Sequence, residues 1–337
     1  MKEIGSEFWL RYPTAPADRA DSGVNLLSGR TALRFIIDDL RKRRNVRRVL
    51  LPSYCCESMI LPFLQAGMKV DFYPVYRDLV GFPADADADA DAVLLLDFFG
   101  YTTPQTAEIA RLAKRQGMTV IYDATHKLDG NPAVEAWADY SFCSFRKWFY
   151  CNYAKAVRHD GDFALTPPLP RYEAYEGLRD EAAREKEAYM VGETNDKESY
   201  LRKFRAAEEL LDGTSEIYGG APVAFDPRGM IEKRRENAAY LMRQLKGIPG
   251  ITLWREELKD TDTPLFLPVL VDPALRGDLR GALIREQIYC PIHWPKSPYH
   301  GDCGELYDRE LSLICDQRYD LTDMARMVGV IQGYFNR

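Results

Sequence analysis

The chain has 337 residues, 46% of them hydrophobic and 28% charged, enough for a large apolar core and too long for one small domain. Its 45 basic and 51 acidic residues leave a formal charge of -6 with no basic stripe, so a nucleic-acid partner is not expected. No run of eighteen apolar residues occurs, and Met1 to Pro13 lack the basic start, apolar stretch and cleavage site of a leader, so a soluble cytoplasmic protein with no membrane partner is expected.

In chain order, Leu33, Ile36, Ile37 and Leu40 recur at helical spacing and predict a helix from about Thr31 to Arg44, with Ser28 and Gly29 at its start. Arg48 to Leu51 reads as a buried strand, Glu57 to Ala66 as a helix and Lys69 to Val75 as a strand. Alternating Ala and Asp from Ala84 to Ala92 has no apolar face and is expected in a solvated loop or at a helix end. Val93 to Phe98 (strand), Pro104 to Gln116 (helix), Gly117 (helix stop) and Thr119 to Asp123 (strand) continue the alternation. Strands this apolar, joined by helices, predict an α/β protein with a mostly parallel sheet covered on both faces.

Beyond it, Tyr172 to Asp212 is charged and helical with interruptions at Gly192 and Asn195, and Arg228 to Leu245 is a long charged helix. Thr263 to Val271 and Ile288 to Ile292 look like strands of a smaller α+β unit. Gly, Pro and Asp cluster between Gly220 and Pro227, which places the boundary there: a large domain at 1–220 and a small one at 221–337. The seven cysteines (Cys55, Cys56, Cys143, Cys151, Cys290, Cys303, Cys315) are an odd set without a C-x-x-C pair and read as reduced thiols, not as disulfides or metal ligands.

Three segments could carry chemistry. Asp123 ends the apolar strand TVIYD, where ligands of open parallel sheets sit, although it could equally cap the next helix. Lys147 follows the strand Tyr140 to Cys143 and lies between Arg146 and Trp148, so desolvation and a neighbouring cation should lower its pKa; its ordinary reading is a surface lysine. Ser28, Gly29, Arg30 and Thr31 open a helix whose first N–H groups can hold a phosphate, or simply form a cap. Together they supply what pyridoxal phosphate (PLP) needs: a phosphate cradle, an acid for the pyridine nitrogen and an amine for the aldehyde. G-x-G-x-x-G, G-x-x-x-x-G-K-[ST] and H-E-x-x-H are all lacking.

The segments SGRTAL, LPSYCCESMILPFLQAGMKVDFYPV, LLLDFFGY, VIYDATHKLDG, SFRKWF, EKRRENAAYL and IYCPIHWP resemble the DegT/StrS-type sugar aminotransferases, PLP enzymes of the aspartate aminotransferase fold. The resemblance implies a homodimer with active sites at the subunit interface and transamination, usually from glutamate to a keto group on a nucleotide-linked sugar. It makes Lys147 the Schiff-base lysine, Asp123 the pyridine-nitrogen partner, His126 a residue near the ring oxygen and Ser144 a phosphate contact. Gly29, Arg30 and Thr31, with Ser28 before them, match the phosphate-binding turn. Cys56 stands where the family often has the aromatic residue that stacks on the ring, a task left to Tyr54. His293 is expected in a substrate pocket, and Asn195 in the segment that serves the partner subunit. The chain departs from the family in spacing Ser144 and Lys147 three apart where five is usual, and in having Cys151 to Lys155 in place of a Gly-rich turn. Another PLP reaction (lyase, desulfurase or decarboxylase) on the same fold, or a non-catalytic binding protein, are the competing readings.

Overall fold

The computed structural model describes residues 3–10, 23–77, 90–166 and 168–336. In chain order they form β1 (Ile4–Gly5), β2 (Val24–Leu26), α1 (Gly29–Arg43), β3 (Arg48–Pro52), α2 (Glu57–Gln65), β4 (Lys69–Tyr73), β5 (Ala92–Leu96), α3 (Pro104–Arg115), β6 (Thr119–Asp123), α4 (Pro132–Glu135), β7 (Tyr140–Ser144), β8 (Ala154–Arg158), α5 (Glu173–Met190) and α6 (Lys197–Gly213). Then come α7 (Pro227–Leu245), β9 (Ile251–Leu253), β10 (Leu267–Val271), α8 (Pro273–Arg285), β11 (Ile288–Tyr289), α9 (Leu306–Arg309), β12 (Glu310–Leu313) and α10 (Leu321–Phe335).

The large sheet has the order β2-β8-β7-β6-β5-β3-β4, and its five members from β7 to β4 run parallel. Strands β5 and β6 are buried along their whole length, as the unbroken apolar sequences AVLLL and TVIYD require of a sheet with both faces covered. Because β8 is antiparallel to both β7 and β2, the end of β2 comes out on the same edge as the ends of β6 and β7. The sheet thus brings the start of α1, Asp123 and Ser144 to one edge. Residues 84–89 of the Ala/Asp stretch lie outside the described residues, but its end is not solvated loop: Ala92 opens β5, and Asp91 accepts the N–H groups of Arg47 (2.7 Å) and Arg48 (2.9 Å).

The charged segment after β8 is two helices, α5 and α6, separated where Gly192 takes a left-handed conformation (φ 83°). The second sheet, β12-β10-β9, is antiparallel. Two expected strands are shorter than their apolar runs. Thr263 and Leu265 donate instead to Gly100 and Phe99 of the turn after β5 (3.0 and 2.8 Å), and the last strand ends at Tyr289. Strand β1 pairs in parallel with β11, Ile4 opposite Ile288, so the N-terminal segment joins the C-terminal part. One apolar cluster runs from Leu33 and Val120 through to Leu267 and Ile331. The boundary near residue 220 is therefore one of sheet topology more than of packing. No helix among the described residues is long and apolar enough to cross a membrane.

Helix α1 is held against the sheet by Asp39, which is wholly buried and accepts from Tyr140 Oη (2.8 Å), the Ala164 N–H (2.5 Å) and Arg43 Nε (2.8 Å). Removing the carboxylate leaves one buried donor, the Tyr140 hydroxyl, unpaired, at a cost of about 1–3 kcal/mol. Asp39→Ala is expected to lower the unfolding free energy by about 1–3 kcal/mol, read as a drop in urea midpoint at constant slope. A midpoint within error of wild type would show that water replaces the carboxylate.

Candidate active site

The start of α1 is a capping box. Ser28 Oγ accepts the Thr31 N–H (3.2 Å), and Thr31 Oγ1 accepts the Ser28 N–H (2.8 Å). Both side chains are consumed by the cap, which leaves the N–H groups of Gly29 and Arg30 as the open donors of the first turn. A Cβ on Gly29 would lie 3.1 Å from Ser144 Cβ and 3.6 Å from its Oγ, so glycine is what lets the end of β7 approach this turn. Ser144 Oγ is buried and has no hydrogen-bond partner. An unpaired hydroxyl beside two open N–H groups at a helix N-terminus fits an oxyanion such as a phosphate.

At the end of β6, Asp123 is 6% exposed and accepts the Thr125 N–H at Oδ1 (2.8 Å). Burial raises its pKa to about 6, against the opposing pull of Thr125 and of Lys147. Thr125 also accepts the Ser144 N–H at Oγ1 (3.2 Å) and the Trp148 indole N–H at its carbonyl (2.9 Å), and so ties the end of β6 to the turn that carries Lys147. Lys147 closes a single 3₁₀ turn, Phe145 to Lys147, directly after β7. Its side chain faces two adjoining cavities, and burial followed by the Arg146 cation lowers its pKa. His126 accepts the Phe99 N–H at Nδ1 (3.2 Å) and lies nearly parallel to Trp294 (5.6 Å, 22°); burial lowers its pKa to about 3, which keeps it neutral.

The smaller cavity, about 300 Å³, is lined by Gly29, Cys56, Asp123, His126, Ser144 and Lys147. Phe266, His293 and Trp294 from the C-terminal part close it. The larger, about 460 Å³, shares Arg146, Lys147 and His293 with it and runs under the segment Ser6–Phe8 toward Arg280, Tyr289 and Arg318. Arg30 also lines the smaller cavity, but its guanidinium is turned to α6, pairing with Glu208 (2.5 Å) and Asp212. Arg146 meets the same Glu208 (2.6 Å), as does Arg179 (3.5 Å).

Two expected residues lie elsewhere. Tyr54 lines neither cavity: its ring is fully buried between Trp294 (5.0 Å), Tyr307 (5.1 Å) and Phe98 (5.9 Å), so the flat walls of the smaller cavity are His126 and Trp294. Asn195 is exposed in the loop between α5 and α6 and lines neither cavity of its own chain. Thr125, Glu208, Phe266 and Trp294 were missed. Of these only Trp294, beside His293 in a quoted motif, and Thr125, inside DATH, had a signal nearby. Among the described residues no three His, Cys, Asp or Glu side chains come together as metal ligands.

No family model and no curated protein matches the sequence. Among solved structures, the chain is similar to DesI, described with its TDP-sugar product: TM-score 0.63, 16% identity, over 94% of this chain and 81% of that one. A DegT DnrJ EryC1 StrS aminotransferase from Brucella abortus gives 0.62 and 15%, over 94% and 87%. NtdA from Bacillus subtilis, with bound cofactor PMP, gives 0.63 and 15%, over 94% and 74%. At such identities the comparison establishes architecture: the chain has the fold of these aminotransferases, an α/β large sheet followed by a smaller α+β part, over nearly its whole length.

Proposed function

We propose that the chain is a PLP-dependent aminotransferase that moves an amino group from an amino acid, with glutamate the first donor to test, to a keto acceptor of the nucleotide-linked sugar class. The observation that carries the reading is the meeting of Lys147, Asp123 and the open Gly29/Ser144 anion cradle in one cavity of about 300 Å³. The neighbours support the acceptor class and the cofactor, one having been described with a TDP-sugar and one with PMP. When bound, PLP supplies an aldehyde for the Lys147 amine and an electron sink for the bond broken at the donor's α-carbon.

The chain's own groups do the rest. Gly29, Arg30 and Ser144 hold the phosphate through two N–H groups and a hydroxyl, with Ser28 and Thr31 keeping the turn in shape. Asp123 is oriented at one oxygen by Thr125 and offers the other to a protonated ring nitrogen, whose positive charge would offset the burial that raises its pKa. His126, held neutral, and Trp294 are the residues that would flank the ring, Cys56 lies at the cavity wall, and Phe266 would help to exclude water. Lys147, its ammonium disfavoured by burial and by Arg146, would be the group that moves a proton between the donor and the cofactor. The larger cavity, open to Lys147 and His293, is the acceptor's room.

A homodimer and a cytoplasmic location belong to the same reading. The exposed loop around Val191 and Asn195, which lines neither cavity of its own chain, is the part offered to a partner's site, and the free state of all seven cysteines supports a reducing compartment.

Borohydride reduction of the PLP-loaded protein is expected to attach the cofactor to one peptide, that containing Lys147; labelling at Lys155 or Lys127 would displace the assignment. The loaded protein should sediment as a dimer, and a monomer with full cofactor content would remove the interface site. Asp123→Asn keeps the shape and loses the charge. It should still hold cofactor on Lys147 but convert glutamate at least about a hundredfold more slowly, a barrier rise of roughly 2.7 kcal/mol, measured in single-turnover absorbance. A near wild-type rate would make Asp123 a structural residue.

A further inference from the structure

We propose that His293, Ser312 and Glu310 form a proton relay in which Nε2 of His293 exchanges a proton with whatever occupies the cavity at Lys147 while Glu310 takes or returns one at the far end. This rests on the reading above only for the identity of the occupant. Glu310 and Ser312 lie two apart on β12 and so face the same way. The Ser312 N–H donates to Pro291 O (3.0 Å), which holds the segment carrying His293 beside them.

The contacts form a continuous chain. The His293 backbone N–H donates to Glu310 Oε2 (2.6 Å), Ser312 Oγ lies 2.5 Å from Glu310 Oε1, and His293 Nδ1 lies 2.9 Å from Ser312 Oγ. Glu310 and Ser312 are both 0% exposed. With Nδ1 engaged, Nε2 is the ring nitrogen left for the cavities, both of which His293 lines.

The direction of this chain depends on one proton. With Glu310 ionised, Ser312 Oγ–H donates to the carboxylate, Nδ1–H donates to Ser312 Oγ, and Nε2 carries a lone pair. When Nε2 takes a proton, Nδ1 gives its own to Ser312 Oγ, and Ser312 gives its own to Oε1. An N–H bond forms at Nε2 and an O–H bond at Glu310, the ring ends neutral, and the charge lost is that of the carboxylate. Reversal delivers the proton back to the cavity.

The surroundings favour this over a charged ring. Burial, then His126 and Lys147, pushes the imidazolium of His293 well below its ordinary range, so a proton taken at Nε2 persists only if Nδ1 can pass one on. Burial lifts the Glu310 carboxyl to about 8, which lets it store a proton near neutral pH. Arg276 from α8 is the charge beside Glu310, and Tyr54 and Cys290 are the other titratable groups that face it. On the cavity side His126 and Lys147 face His293.

The test is the His293 tautomer, read by ¹⁵N resonances of histidine-labelled holoenzyme and assigned by their loss in His293→Gln. The wild type is expected to pass from Nε2–H below the Glu310 pKa of about 8 to Nδ1–H above it. Ser312→Ala should abolish the switch, and should slow the glutamate half-reaction about tenfold or more at unchanged cofactor content. Glu310→Gln, nearly isosteric, should freeze Nε2–H at every pH, because its amide oxygen is needed to accept the His293 backbone N–H, which leaves the N–H₂ to donate to Ser312. A single tautomer across the range in wild type, or a switch that survives Ser312→Ala or Glu310→Gln, overturns the relay. A protein that switches but transfers no amino group supports the relay and overturns the aminotransferase reading.

Discussion

Three guanidinium groups converge on the Glu208 carboxylate: Arg30 from the first turn of α1, Arg146 from the turn before Lys147, and Arg179 from α5. Burial by itself would push this carboxyl up, but Arg146, Arg30 and Arg179 hold its pKa at about 2, so it is charged near neutral pH. Its position has two effects. It ties α6 to both walls of the cavity, and it compensates cations that would otherwise stand unscreened beside the Lys147 amine. Without Glu208, Arg146 would hold Lys147 below its ordinary range more strongly, and the first turn of α1 would lose its outer support.

The parts of the fold visible in the sequence were those with a local cause. An unbroken apolar strand ending in Asp123, the helical spacing of Leu33, Ile36, Ile37 and Leu40, and Gly192 as a break each act over a few residues, and each is where its pattern puts it. Lys147 and Asp123 were legible for the same reason, because each directly follows or ends a strand. What was illegible depends on partners far away in sequence. Glu208 is one acid among many in a charged helix until its contact with Arg30 is seen, and Glu310 and Ser312 look like ordinary strand residues until His293 is laid against them. Tyr54 shows the converse. Two positions from Cys56, it has the right chemistry for stacking, yet its ring is committed to Trp294 and Tyr307.

The two sheets have divided labour. The carboxyl edge of the large sheet supplies the anion cradle, Asp123 and Lys147, all placed by strand ends and short turns. The smaller part supplies what closes over them, Phe266, His293 and Trp294, and it is braced by backbone bonds from Thr263 and Leu265 to the turn after β5. In that turn Phe99 is left-handed (φ 57°), and Gly100 has no room for a side chain, since a Cβ would fall 1.9 Å from Thr263 O. The same turn presents the Phe99 N–H to His126 Nδ1, so docking of the two parts and the tautomer of that imidazole are set by one stretch of backbone.

Among the described residues strand β1 pairs with β11 alone, and Ile4 is fully buried there. Ile4 leaves the ribosome long before Ile288, so this strand must wait, unpaired, while the residues between them are made. The large sheet, whose strands lie between residues 24 and 158, can assemble in that interval. The segment Ser6–Phe8, which roofs the larger cavity, directly follows β1 and is held by Arg318 and Lys186 through its carbonyls. Closure of that cavity is therefore among the last events of folding, and a nascent chain can bring Gly29, Asp123 and Ser144 together well before the larger cavity is enclosed.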